Sequence, residues 1–234
     1  MKKNLNQKLI NLAEYYNLVN SNLVLENQPL KRMVNIKTAF SGKTKLQKLE
    51  KLKRDISLIK NCDLKRNAKN LVFGDGYISS KLMIIGEGPG AQEDLKGIPF
   101  VGRAGKLLDK MLESINLDRK KVYISNVVNY RPPANRRPTE KEISRYLPYL
   151  INHIEIINPK ILVLLGSTAL NTLIGNEVVI SKARGKWIQK EIGTIKPWII
   201  ASFHPAFLMR QPEQKKLAWI DLKMIREKYK ILKI

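Results

Sequence analysis

The sequence predicts an α/β fold, a three-layer sandwich in which a central four-stranded parallel sheet is flanked by helices. Short apolar runs alternate with longer segments in which apolar residues recur at helical spacing, as in βαβ units. These runs are apolar throughout, which is typical of strands covered on both faces. Two of the runs lead directly into polar loops. Such loops at the carboxyl ends of parallel strands share one crevice, so we expect a ligand site there.

Strands are predicted at four apolar runs. These are Leu82–Ile85, Val122–Val128, Ile161–Leu165 and Trp198–Phe203. The helices predicted between and after them are Lys106–Ile115, Glu140–Ile157, Thr168–Ile174 and Gln214–Tyr229. Thr139 is a favourable N-cap for the second helix, whose first turn is acidic. The pair Asn158-Pro159 ends that helix before the next strand.

Residues 1–57 differ in character and are predicted to form a basic helical extension, with the α/β domain at 58–234. Leu9, Leu12 and Tyr16 fall at helical spacing. A second helical segment, Lys45 to Ile59, has one apolar face, made by Leu49, Leu52, Ile56 and Ile59. The stretch Asn27–Gly42 between the two is predicted to be a linker.

The composition of the chain limits the classes of partner and the cell compartment that we expect. The chain has 43 Lys+Arg against 20 Asp+Glu in 234 residues, a net charge of +23. Such an excess favours polyanionic partners, nucleic acid above all, although a coding bias toward Lys and Asn is an alternative explanation. The single cysteine, Cys62, excludes an internal disulfide and fits a reducing compartment. With no signal peptide and no apolar membrane span, we expect a cytoplasmic monomer.

The first polar loop, Gly86–Asp94, reads Gly-Glu-Gly-Pro-Gly-Ala-Gln-Glu-Asp, and the second, His204–Pro212, begins with histidine. The glycines let a ligand approach the main chain. A nucleotide-cofactor site is disfavoured, because the spacing is not G-x-G-x-x-G and no Gly-Lys-Ser/Thr follows. The two loops together place a glycine-rich turn, two carboxylates and a histidine around one pocket.

Further motifs continue the pattern in order along the chain. They are Gly97-x-Pro99-Phe100-Val101-Gly102-Arg103-Ala104-Gly105, Leu107-Leu108-Asp109, Val122–Val128, Arg131–Arg136 and His204–Arg210. With Gly86–Gly90 and Glu93-Asp94, they resemble a family-four uracil-DNA glycosylase over roughly residues 58–230. The resemblance implies that family's α/β fold. It also implies a repair enzyme that flips uracil out of DNA and hydrolyses its N-glycosidic bond, leaving an abasic site.

The resemblance also implies the residues that bind uracil. Phe100 would stack on the flipped base, and the amide of Asn126 would read its edge with one donor and one acceptor. His204 would donate to uracil O2 as negative charge develops there. A core aromatic, a strand-end asparagine and a histidine held by a backbone carbonyl are the structural alternatives. The other histidine, His153, lies inside a predicted helix and is interpreted as structural.

Two carboxylates, Glu87 and Glu93, match acidic positions of the family. Either could hold the attacking water or stabilise the cationic sugar, and the sequence leaves the choice open. Gly88 stands where better-known uracil glycosylases carry a water-activating aspartate, so no general base is expected there. The backbone N–H groups of Gly88 and Gly90 are candidates for binding uracil or phosphate.

DNA contacts are predicted at two places. In the basic loop 181–187, Arg184 and Lys186 would contact phosphate. In the segment Phe207–Arg210, Met209 and Arg210 would contribute to a wedge that fills the vacated base position. A solvated hairpin and an ordinary helix start are the structural alternatives. Relatives that trap uracil-DNA covalently do so through a loop histidine, and the loop 181–186 has none.

The family usually carries four cysteines that bind a [4Fe–4S] cluster. The matching positions here are Ile59, Cys62, Tyr130 and Tyr146. One thiolate cannot hold such a cluster, so the chain is predicted to lack it and to need no cofactor. We hypothesise that the three replacements pack beside Cys62 as a small apolar plug.

A second hypothesis follows from this loss, a DNA-binding protein that keeps the fold with weak or no turnover. Intact Glu87, Phe100, Asn126 and His204 favour an active enzyme. The predicted partner is uracil-containing DNA, with U·G preferred over U·A because mispaired bases cost less to flip. The basic extension is expected to bind DNA or a repair or replication protein.

Overall fold

The computed structural model describes residues 44–175 and 178–234, so the predictions for Leu9–Tyr16 and for the linker 27–42 lie outside it. The strands are β1 Asp75–Gly76, β2 Leu82–Gly86, β3 Tyr123–Asn126, β4 Ile161–Leu165, β5 Trp187–Gln189 and β6 Trp198–Ser202. They form one mixed sheet in the order β1-β3-β2-β4-β6-β5.

The central strands β3, β2, β4 and β6 are parallel, as the sequence predicted. In register, Ile84 lies opposite Ile124 on one side and Val163 on the other. The short edge strands β1 and β5 run antiparallel to their neighbours and were not predicted. Strands of two and three residues are too short to show a hydrophobic period, so the predicted sheet of four strands has six.

The helices are α1 Lys45–Ser57, α2 Asp63–Asn67, α3 Ala91–Lys96, α4 Arg103–Glu113, α5 Glu140–Ile157, α6 Ser167–Leu173, α7 Ile180–Ala183, α8 Pro205–Arg210 and α9 Lys215–Ile231. They cover both faces of the sheet. One apolar core lies between the sheet and helices α1, α5 and α6, and the other between the sheet and helices α4 and α9. The three-layer α/β prediction is therefore confirmed. Helix α5 has the predicted bounds, with a Thr139–Glu142 capping box.

Helix α1 corrects the predicted domain boundary at residue 57. Its apolar face was predicted correctly, since Leu49, Leu52 and Ile56 are buried. That face packs against α5 within the same core as the sheet, so the packed domain begins before residue 58. A Thr44–Gln47 capping box starts the helix. Within the part of the chain that the structure describes, no helix combines the length and apolar character needed to cross a bilayer.

Candidate active site

The carboxyl ends of three parallel strands bring the predicted site residues together. Glu87 directly follows β2, Asn126 ends β3, and His204 comes two residues after β6. All three line a cavity of ≈ 190 Å³. The other predicted uracil-site residues that line it are Gly88, Gly90, Glu93 and Phe100. This placement agrees with the rule that open α/β sheets bind ligands outside the carboxyl ends of their strands.

Gly86 at the end of β2 determines how closely the pocket side chains meet. A Cβ atom at this position would lie 2.5 Å from both the Asn126 Oδ1 atom and the Phe100 Cζ atom. No real side chain tolerates such contacts, so only glycine allows the ring and the amide to converge there. The end of β2 thus lets the Phe100 ring and the Asn126 side-chain amide lie close together.

Phe100 is both a core residue and a wall of the cavity. Its side chain is buried in the core beneath α4. The ring centroid lies 5.6 Å from that of His204, with the planes tilted by 31°. Its φ angle is 54°, a left-handed conformation that is uncommon for a bulky residue. The core alternative is therefore correct, and the stacking role, which needs a ring at the cavity, stays a prediction.

Asn126 is only 2% exposed, yet its Oδ1 atom has no hydrogen-bond partner among the described residues. A buried acceptor that lacks a partner costs about 1–3 kcal/mol. Native proteins rarely keep such an atom without a reason, and a catalytic role is one of the recognised reasons. This carbonyl oxygen is therefore available to a donor that enters the cavity.

His204 caps the N-terminus of α8. Its Nδ1 atom accepts a hydrogen bond from the backbone N–H of Ala206 at 3.2 Å. Burial and, to a smaller extent, the charge of Arg210 lower the pKa of His204 to about 4, against the opposing effect of Glu93. The ring is therefore neutral at pH 7. Since Nδ1 is an acceptor, the proton of the neutral ring lies on Nε2.

The two carboxylates have different surroundings. Glu93 accepts three backbone hydrogen bonds, from Gly90 at 3.1 Å, Val101 at 2.9 Å and Gly102 at 2.7 Å. It therefore ties the glycine turn to the Phe100 loop, and the Gly90 N–H, predicted to bind a ligand, is already taken. Glu87 accepts a hydrogen bond from the hydroxyl of Thr168 through one oxygen. The structure thus separates the two acidic residues that the sequence left equivalent.

The guanidinium of Arg184, which was predicted to contact phosphate, is bound within the protein. It forms a buried ion pair with Asp221, donating to Oδ2 at 3.0 Å and also to Oδ1. It also lies over the ring of Phe203, 5.6 Å from the centroid. A cation committed to a buried carboxylate is unavailable to phosphate, which corrects the prediction. Lys186, by contrast, is exposed.

The predicted wedge segment is partly buried. Leu208 is 1% exposed and belongs to the core, which excludes it from a wedge. Met209 is half-buried and Arg210 is exposed. Arg210 lines a second cavity that adjoins the first and shares Glu87 and His204 with it. Arg210 therefore has a position consistent with contacts beside the pocket, and the role of Met209 stays a prediction.

His153 lies away from the cavity, inside α5. Its Nε2 atom lies 2.9 Å from the hydroxyl of Tyr123, and its ring stacks on Phe73 at 4.3 Å. Burial lowers its pKa to about 3. These contacts support the structural interpretation of this residue.

The four positions that match the family's cluster ligands lie in one core. Cys62, Tyr130 and Tyr146 are buried there and Ile59 packs against them. The Sγ atom of Cys62 lies 3.3 Å from the hydroxyl of Tyr146. Burial raises the pKa of both tyrosines. One thiol, two neutral phenols and an alkyl chain do not fit a [4Fe–4S] cluster, which needs four thiolates.

A loop that sequence reasoning left without a role, 131–139, frames the cavity. Its Pro132, Asn135, Arg136 and Pro138 line the pocket. Arg136 forms two hydrogen bonds to Glu142, at 2.8 and 2.6 Å, and these hold the pKa of that carboxyl down to about 2. The capping box of α5 was the available signal, because its Glu142 accepts the Thr139 N–H through Oε2 and also holds Arg136 of the loop through both oxygens.

An aromatic ring, a side-chain amide and a neutral imidazole surround one small cavity, and proteins that bind an extruded base use groups of these kinds. The family model of the uracil DNA glycosylase superfamily matches residues 73–223. The chain therefore belongs to this superfamily, and within it to the type-4 uracil-DNA glycosylases, as the relatives below establish.

Curated relatives named type-4 uracil-DNA glycosylase are similar over most of the chain. The protein from Sulfurisphaera tokodaii is 42% identical over 190 residues, 78% of this chain and 85% of the relative. The one from Archaeoglobus fulgidus is 39% identical over 186 residues, 78% of this chain and 94% of the relative. The one from Thermotoga maritima is 45% identical over 150 residues, 64% of this chain and 77% of the relative.

Proposed function

We propose that this protein excises uracil from DNA by hydrolysing the N-glycosidic bond, which leaves an abasic site for base-excision repair. The observation that carries the proposal is the buried Oδ1 atom of Asn126, which lines a cavity beside Phe100 and His204 and has no hydrogen-bond partner within residues 44–175 and 178–234. Family membership and the names of the relatives support it. Separate residues are assigned to recognising the base, stabilising the leaving group and stabilising the cationic sugar.

Recognition rests on Asn126 and Phe100. Uracil presents a donor, N3–H, beside an acceptor, O4, and a side-chain amide offers the complementary pair. The Oδ1 atom accepts from N3–H and the amide NH₂ donates to O4, which satisfies the buried acceptor. Phe100 stacks on the face of the base, and base–aromatic stacking contributes about 1–3 kcal/mol.

His204 acts on the leaving group. Cleavage of the C–N bond leaves negative charge on the uracil oxygens, so a donor aimed at O2 stabilises the transition state more than the ground state. The Nε2–H of the neutral ring is that donor. Its low pKa keeps the ring neutral at physiological pH, so the ring acts as a hydrogen-bond donor and carries no positive charge.

Glu87 acts on the sugar. As C–N cleavage proceeds the deoxyribose becomes cationic, and a carboxylate beside it lowers the barrier by charge. The Thr168 hydroxyl holds one oxygen of Glu87, and we assign the other oxygen to the attacking water. Glu93, with three backbone hydrogen bonds, is assigned to bracing the pocket. With glycine at position 88, the reaction proceeds without a dedicated general base there.

DNA binding rests on the basic surface. Lys186 and Arg210 contact phosphates, and Met209 contributes to the wedge. The extension 1–43 adds sequence-independent affinity or binds a repair or replication protein. Deleting residues 1–43 separates these alternatives, because an electrostatic role predicts a shallower dependence of DNA affinity on salt. A deletion that leaves the salt slope unchanged would refute that role.

We further propose that the enzyme works without an iron–sulfur cluster or other cofactor, in the cytoplasm and as a monomer. The poor fit of the residues at the cluster positions supports the first point. Cys62 is a buried free thiol, consistent with a reducing compartment.

The proposed activity is tested with three oligonucleotide duplexes that differ in one base pair: U·G, U·A and T·A. Alkali cleaves the strand wherever a base has been removed. We expect cleavage of both uracil duplexes, faster for U·G, and none of T·A. Folded protein that binds DNA but cleaves none of the three would support the non-catalytic alternative.

A further inference from the structure

Arg119 lies in the loop between α4 and β3, and its guanidinium joins three separate parts of the chain. Nε donates to the Asp109 carboxylate in α4 at 2.8 Å. Nη1 donates to Asp75 on β1 at 2.7 Å and to the carbonyl of Pro99 at 3.0 Å. Nη2 donates to the carbonyl of Phe100. Every nitrogen of this side chain therefore has an acceptor.

Two of these acceptors belong to the loop that presents Phe100. This residue has a φ of 54°, and a bulky residue stays in the left-handed region only when its surroundings enforce it. Arg119 holds the carbonyls of residues 99 and 100, whereas Glu93 holds the amides of Val101 and Gly102. The loop is thus fixed from both sides, by one cation and one anion.

Helix α4 restrains the same carbonyl sterically. A Cβ atom at Gly105, in the first turn of α4, would collide with the carbonyl oxygen of Phe100. The loop therefore lies directly on the helix, and Asp109, one turn further along, is placed to hold Arg119. Asp75 lies opposite Ile124, two residues before Asn126, so the same guanidinium is also tied to the strand that carries the amide.

We propose that Arg119 is a positioning residue for uracil. Asp75 and Asp109 anchor its guanidinium, which holds the loop carbonyls and so fixes the Phe100 ring in the orientation that stacks on the base. The proposal rests on the stacking role of Phe100 in the proposed function. Only arginine presents a planar fork that can hold two carboxylates and two carbonyls at once. Lysine keeps the charge but loses that geometry.

A double-mutant cycle tests the proposal, with Arg119→Lys, Phe100→Ala and the combined variant. Two quantities are measured at a temperature where all three are folded: the inhibition constant of free uracil and the single-turnover rate of uracil excision. Arg119→Lys is expected to weaken uracil inhibition about tenfold and slow excision similarly, whereas in the Phe100→Ala background it changes both less than about twofold. Equal effects in the two backgrounds would overturn the proposal.

Two further variants keep the test decisive. Leu150 is a residue of α5 whose side chain is buried in the core on the other side of the sheet from Phe100. Leu150→Ala lowers stability and is expected to leave uracil inhibition unchanged. If Arg119→Lys fails to fold, Asp109→Asn takes its place, because it weakens one of the two carboxylate partners of Arg119. It should raise the inhibition constant of uracil about threefold, and only when Phe100 is present. Unchanged inhibition in Asp109→Asn would contradict the proposal. Wild-type protein that neither excises uracil nor responds to it would instead refute the proposed function.

Discussion

The Nδ1 atom of His204 accepts the backbone N–H of Ala206 at 3.2 Å, so the cap of helix α8 also sets the tautomer of the ring. One hydrogen bond thereby serves both the fold and the site. The ring is neutral, its free proton lies on Nε2, and the cavity receives a donor that carries no charge. This arrangement makes the pH dependence of the reaction informative.

The first prediction concerns the pH dependence of excision. Because burial and Arg210 lower the pKa of His204 to about 4, the neutral donor persists well below the usual titration range of histidine. The single-turnover rate should therefore lack an inflection near pH 6.5, and His204 should affect it only as the pH approaches 4. A rate that changes with a midpoint near pH 6.5 and loses that inflection in His204→Gln would contradict the assignment.

The second prediction concerns stability and His153. Its pKa is about 3 in the folded state, well below the unfolded value of roughly 6.5. Between these values the unfolded state binds more protons, so stability falls as the pH decreases below 6.5. For this group the loss amounts to about 2 kcal/mol by pH 5. Urea unfolding of His153→Gln should show a shallower decline between pH 7 and pH 5. An equal decline in both proteins would count against it.

The third prediction separates function from stability at two buried asparagines. Asn126→Ala removes a buried acceptor that has no partner in the described part of the chain, so we expect little loss of thermal stability but excision reduced by about 100-fold or more. Asn129 is the matched control, since its amide donates to the carbonyl of Val72 at 3.0 Å. Asn129→Ala should lose about 1–3 kcal/mol of stability yet keep excision at a permissive temperature. The reverse pattern would exclude Asn126 as the uracil reader.

The fourth prediction contrasts two neighbouring cations. Arg184→Ala leaves Asp221 buried without its partner, and breaking a buried ion pair in this way costs about 3–5 kcal/mol. Lys186→Ala removes an exposed charge, so it should leave stability unchanged and reduce the salt slope of DNA binding by about one. Chemical denaturation and binding titrations at several salt concentrations measure both. A stable Arg184→Ala protein with a reduced salt slope would restore the original prediction for that residue.

The fifth prediction concerns the core around Cys62 and Tyr146. The purified protein should be colourless, without the broad absorbance at about 400 nm that an iron–sulfur cluster gives. Chelators should not change its melting temperature. Tyr146→Phe should cost about 1 kcal/mol, the weight of one hydrogen bond. Tyr146→Ala should cost about 3–5 kcal/mol, because it opens a cavity in the core. Brown protein with bound iron would refute the plug.

The fold was largely predictable because its signals are local and strong. Each central strand is a continuous apolar run, and helix α5 has a capping box at one end and Asn158 at the other. The edge strands β1 and β5 were missed because pairing, and not composition, creates them. The boundary at residue 57 was wrong for a related reason, since the apolar face of α1 does not reveal what it packs against.

The site was predictable as a set of residues and not as a set of roles. Motif spacing predicted Glu87 and Glu93 as equivalent acidic residues. Only the hydrogen bonds distinguish them, since Glu87 accepts one from the Thr168 hydroxyl and Glu93 accepts three from backbone N–H groups. Arg184 looked like a phosphate contact because its partner, Asp221, is 37 residues away in sequence. Arg119 had no signal at all, since its four acceptors come from three segments.

The most direct test of the central claim is single-turnover excision from a duplex with one uracil, comparing wild type with Asn126→Ala and His204→Ala. The account predicts rapid excision by wild type and a rate lower by about 10²–10³ in each variant, with DNA affinity largely kept. Folded wild-type protein that binds the duplex and leaves the uracil in place, or variants that excise it as fast as wild type, would contradict it.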